Sequence, residues 1–159
     1  MAAGDIHIQA KHVSNMSKTA LAALWATNTI KFGIITSSTT PAVADSDPRW
    51  GAGGSQNYST NEVTPGGNYS AGGITVSGCT STLSGAVTSL NATSPVSISA
   101  NASNPTTARW GIFYDSTSAG KEVFGYYDFG GVVSLVPGYQ INLNGVSSGT
   151  QPVFNGTAT

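Results

Sequence analysis

Charge is what this chain has least of. Six Lys or Arg and seven Asp or Glu make up 8% of 159 residues, against about 25% in an average domain. The six cations are scattered, which argues against a nucleic-acid binder, because phosphate neutralisation needs them clustered. Glu and Lys are too few for a charged coiled coil or a long solvent-facing helix. No apolar run approaches the roughly 20 residues of a membrane helix, so no membrane partner is expected. Cys79 is the only cysteine, so no disulfide can form within the chain. Its neighbours Gly78 and Thr80 bring no cation to activate a thiolate, and Cys79 reads as a small hydrophobe on a strand. His7 and His12 are the only histidines, too few for a zinc site of three or four ligands. Neither a metal nor a cofactor is expected. The opening segment, MAAGDIHIQAKHVSNMS, lacks a basic region followed by an apolar run. It does not read as a signal peptide, and the expected place of synthesis is the cytoplasm.

What is abundant is small and polar. Gly, Ser, Thr and Asn together make 71 residues, 45% of the chain. Hydrophobics at 39% and aromatics at 9% nevertheless exclude highly charged disorder. Surface scaling for 16.1 kDa gives about two thirds of the unfolded surface buried on folding, enough for a core without staples. A net charge of −1 supplies little steering field and little protection against association.

The chain divides into an N-terminal arm, residues 1–16, and a single β domain, residues 17–159. Ile6 and Ile8 alternate in the arm, as in a strand that adds to the edge of a neighbour; a frayed terminus is the other reading. SKTALAALWA, 17–26, is the one helical stretch, with Ser17 as cap and Leu21, Leu24 and Trp25 on one side. TIKFGIIT, 29–36, alternates Ile30, Phe32 and Ile34 with Thr29, Lys31 and Gly33, the pattern of a strand. Residues 37–73 are a long excursion rich in Gly and Pro. Its aromatics Trp50, Tyr58 and Tyr69 argue for order and are the candidate anchors of an interface. Short strands are then predicted at 74–79, 82–90, 95–100, 107–115, 121–129, 132–136, 139–144 and 151–155. Spaced by Gly, Asn or Pro, they indicate a mainly β fold, an antiparallel sandwich or barrel-like domain with one short N-terminal helix. Asp115–Gly120 reads as a hairpin turn.

Chemistry-bearing groups are few. Asp115, Glu122 and Asp128 lie near the ends of adjacent predicted strands, and turn chemistry accounts for them better than a glycosidase pair does. No Ser/His/Asp set is identifiable, and no catalytic residue is assigned. The strings WGAGGS and PGGNYSAGG lack the GK[ST] and following helix of a phosphate loop. Arg109, on an otherwise apolar strand, suits stacking on an aromatic, pairing with a carboxylate such as Asp128, or a contact between subunits.

Three stretches then carry a resemblance. They are Thr29-Ile30-Lys31-Phe32-Gly33-Ile34-Ile35, Glu62-Val63-Thr64-Pro65-Gly66-Gly67-Asn68-Tyr69-Ser70-Ala71-Gly72-Gly73, and Thr107-Ala108-Arg109-Trp110-Gly111-Ile112-Phe113-Tyr114-Asp115 with Gly125-Tyr126-Tyr127-Asp128-Phe129-Gly130-Gly131 after it. In that order, over about residues 17–145, the chain resembles small β-rich virion structural proteins of tailed bacteriophages. The resemblance implies a non-enzymatic particle protein, above all a capsid decoration or cement protein. Such a protein binds the major capsid protein across capsomer junctions, as a homo-oligomer in which a trimer is favoured. It is made in the bacterial host and resides in the virion. A tail, fibre or adaptor component with host-surface or glycan binding is the alternative. The candidate interface residues are Ile6, Ile8, Trp50, Tyr58, Tyr69 and Arg109.

Overall fold

A computed structural model describes residues 6–8, 18–84, 87–93, 96–141 and 154–157, with side chains at 23–82, 90–93 and 96–141. Among the described residues the fold is mainly β, built chiefly from antiparallel sheets, with one short helix near the N-terminus and no closed barrel. The proposed cap Ser17 and the arm outside 6–8 lie outside the described residues.

A five-stranded sheet organises the molecule, in the order β1-β10-β9-β2-β5. Its members are β1 (Ile6–Ile8), β2 (Ile30–Ile35), β5 (Ile74–Thr75), β9 (Ala108–Asp115) and β10 (Val123–Val133). The sheet begins and ends on different strands, so it is open. At its centre, β2 pairs with β9 from Ile30↔Asp115 to Ile35↔Trp110. The turn 115–120 returns β9 into β10, as the sequence predicts.

Both faces of this sheet are buried, and this follows from β9. In ARWGIFYD apolar side chains occupy successive positions rather than alternate ones, the signature of a strand covered on both sides. Ile30, Phe32, Ile34, Phe113, Tyr127 and Phe129 enter one core. Ile35, Trp110, Ile112, Tyr114, Val123 and Tyr126 enter the other.

Helix α1 (Lys18–Thr27) covers the first face. Its Trp25 is fully buried, packs edge-on against Phe124 at 5.3 Å between ring centroids, and donates from Nε1 to the Asn91 carbonyl at 2.7 Å. That bond ties the helix to the hairpin β6 (Thr80–Ser84) and β7 (Val87–Asn91), which β12 (Phe154–Thr157) joins on the far side of β7. The stretch 82–90, which sequence pattern reads as a single strand, is thus two strands of a hairpin. A further pair, β8 (Val96–Ile98) with β11 (Tyr139–Ile141), completes this layer.

The second face is covered by the excursion 37–61. It contains only a two-residue parallel pair, β3 (Pro48–Arg49) with β4 (Gln56–Asn57), and one 3-10 turn at Tyr58–Asn61. The segments predicted at 121–129 and 132–136 are largely one strand, β10, which carries two register shifts. The first adds Phe124, which turns into the helix-side core. The second lies between Asp128 and Val133, where Gly130 adopts φ +80°. A left-handed residue there suits glycine and turns the chain at the Asp128–Gly131 corner.

Candidate functional site

The anchors expected in the long excursion turn inward. Trp50, Tyr58 and Tyr69 are at most 3% exposed, so their side chains are spent inside the chain and offer nothing to a partner. The physical reason is the uncovered sheet face: large aromatic area gains more from it than from solvent. Trp50 lies flat on Tyr114, with ring centroids 4.8 Å apart and planes at 8°. The sheet makes room for it at Gly33, where an added Cβ would fall 2.3 Å from the Trp50 ring. Gly111 does the same on the opposite face for Phe32. The Tyr58 hydroxyl donates to Asp45 Oδ2 at 2.5 Å. Burial, together with that carboxylate, pushes the Tyr58 hydroxyl far above its ordinary range.

Glu62 to Gly73 forms a second fastening, on the free side of β2. The Thr36 N–H donates to the Asn61 carbonyl and the Val63 N–H to the Ile34 carbonyl, which extends the edge begun by β5. Between them the Ile34 N–H donates to the Tyr69 hydroxyl at 2.8 Å. Tyr69 in turn donates to Glu62 Oε1 at 2.9 Å, and the Gly72 N–H reaches the same oxygen at 2.7 Å. Tyr114 donates to the Gly72 carbonyl at 2.6 Å. One carboxylate thus satisfies a buried phenol and a tight turn. Gly72 and Gly73 both have positive φ, and a Cβ on Gly73 would fall 2.2 Å from the Phe32 carbonyl oxygen. Desolvation raises the Tyr69 hydroxyl strongly, and Glu62 adds to it; burial likewise raises Tyr114.

A third fastening joins β9 to β10. Arg109 donates to Asp128 Oδ1, and its guanidinium lies 3.7 Å over the Trp110 ring. Stacking and pairing, offered by the sequence as separate options, occur together. The Gly130 N–H donates to the same Asp128 oxygen at 2.6 Å, which fixes the corner. Burial alone would raise the Asp128 carboxyl; the Arg109 and Gly130 hydrogen bonds outweigh it and hold the carboxyl below its ordinary range. The side chain of Arg109 remains 19% exposed.

The other carboxylates hold turns. Fully buried Asp115 accepts from the Thr117 and Ser118 N–H groups through Oδ1 and from Asn28 Nδ2 through Oδ2 at 2.6 Å. Glu122 accepts from the Ser118 hydroxyl at 2.5 Å. Asp47 pairs with Arg49 at 3.1 Å, and Arg49 reaches the Gly120 carbonyl of the β9–β10 turn. Among the described residues no group of three His, Cys, Asp or Glu is placed to hold a metal. The Cys79 thiol is half-buried and pushed up to about 11 by desolvation.

Two polar residues, one buried and one half-buried, escape sequence reasoning. Asn104, 4% exposed, accepts from the Asn68 N–H and donates to the Ser99 and Leu135 carbonyls, each within 2.8 Å. The Asn-Pro step at 104–105 was its only signal, and it marks a turn rather than a buried hub. Asn28, the other, follows the helix directly, where an amide reads as a stop. Ile6 and Ile8 sit on β1, whose backbone pairs with β10 of the same chain, Ile6↔Tyr127 to Ile8↔Gly125.

Compared with protein-family models, with curated proteins and with solved structures, the chain has no match.

Proposed function

We propose that this chain is a non-enzymatic structural protein of a tailed-bacteriophage particle, a decoration or cement protein that binds the major capsid protein across capsomer junctions. One observation supports this reading above the rest. The motifs that carry the resemblance are the parts that fasten the fold: Glu62, Tyr69 and Gly72 at one edge, Arg109 with Asp128 at the corner, and Tyr114 between them. The motif carboxylates hold backbone and side-chain donors of their own chain rather than standing in a common cleft. What is left outside is mostly hydroxyl and amide, the wet, hydrogen-bonding surface suited to lying against a shell of other subunits. A homotrimer matches the threefold positions of such a shell.

Quantitative mass spectrometry of purified particles, separated into heads and tails, tests the reading. Hundreds of copies in the head fraction are expected. Recovery with tails in multiples of three, six or twelve would replace it with a fibre or adaptor role.

A further inference from the structure

We draw no further inference here: the strongest candidate, the Arg109–Asp128 corner of β9 and β10, where the buried Trp110 indole N–H beneath the Arg109 guanidinium has no acceptor among the described residues, carries nothing, because Arg109 and Asp128 belong to the fastening already described and nothing in the structure shows what covers that donor.

Discussion

The two faces of the central sheet are covered in opposite styles. On one face a helix and a hairpin supply the cover, and their backbones are satisfied within their own ladders. Apolar contact suffices there: Trp25, Phe32, Phe113 and Phe124 pack ring against ring. On the other face an irregular excursion does the same work. Its backbone has only a two-residue ladder, so side chains pair many of its polar groups. Ser55 accepts from the Asp47 N–H, Asn57 from the Ser59 N–H, Asp45 from Tyr58 and from the Ala42 N–H, and Asn61 donates to Thr39. The abundance of Ser, Thr and Asn thus has a structural use: these residues stand in for missing secondary structure.

The comparison breaks most visibly at Phe113, which lies under the helix against Phe32 and Trp25. Phe113→Ala should cost about 3–5 kcal/mol, read as a lower urea midpoint with all probes moving together. If the loop face stayed folded while the helix face melted, the two faces would be independent units rather than parts of one cooperative fold.

Alkaline pH separates the faces next. The loop-face core holds three tyrosines, Tyr58, Tyr114 and Tyr126, and the helix-side core two, Tyr69 and Tyr127, all raised chiefly by burial, so the larger loss falls on the loop face. Unfolded tyrosine ionises near pH 10 and these do not, so their stabilisation is complete below that pH and falls as pH rises beyond it. Each loses about 1.4 kcal/mol per pH unit while it stays protonated. Hydrogen exchange or loop proteolysis at pH 11 should report opening at 37–61 ahead of the helix. Equal protection on both faces would refute the assignment.

Gly33→Ala probes the cover more locally. The new methyl meets the Trp50 ring and must displace it from Tyr114. A cost of about 2–3 kcal/mol is expected, with loss of protection confined to the excursion. Trp25, on the opposite face, should keep its burial and its fluorescence contribution.

Much of this was legible in the sequence, and the limits have physical causes. Strands 29–36 and 107–115 announce themselves because alternation or continuous apolarity is a local signal. The pairing of Arg109 with Asp128 was open to inference because charges are so few that each has few candidates. The direction of Trp50, Tyr58 and Tyr69 was not legible. An aromatic in a loop looks the same whether it serves a partner or its own sheet, and only the topology reveals the uncovered face. That face was hinted at by the consecutive apolar residues of β9, which demand cover on both sides. Strand 82–90 concealed a hairpin because residues on both sides of its turn are equally β-prone. Asn104 was invisible since two of its three partners, Asn68 and Leu135, come from distant segments.

The smallest effect is the most specific. Tyr69→Phe removes one oxygen and leaves the ring in place. It strands the Ile34 N–H and removes one of the two donors at Glu62 Oε1. A cost of about 1–2 kcal/mol is expected, since a buried N–H loses its acceptor while the packing stays. The Ile34 amide should lose its protection from exchange, whereas Val63, bonded to the Ile34 carbonyl, should keep its own. Protection at Ile34 that survived the change would mean that this amide is closed off by its neighbours' packing and backbone bonds alone. The hydroxyl of Tyr69 would then have no part in distinguishing the fastened edge from the one that β1 covers.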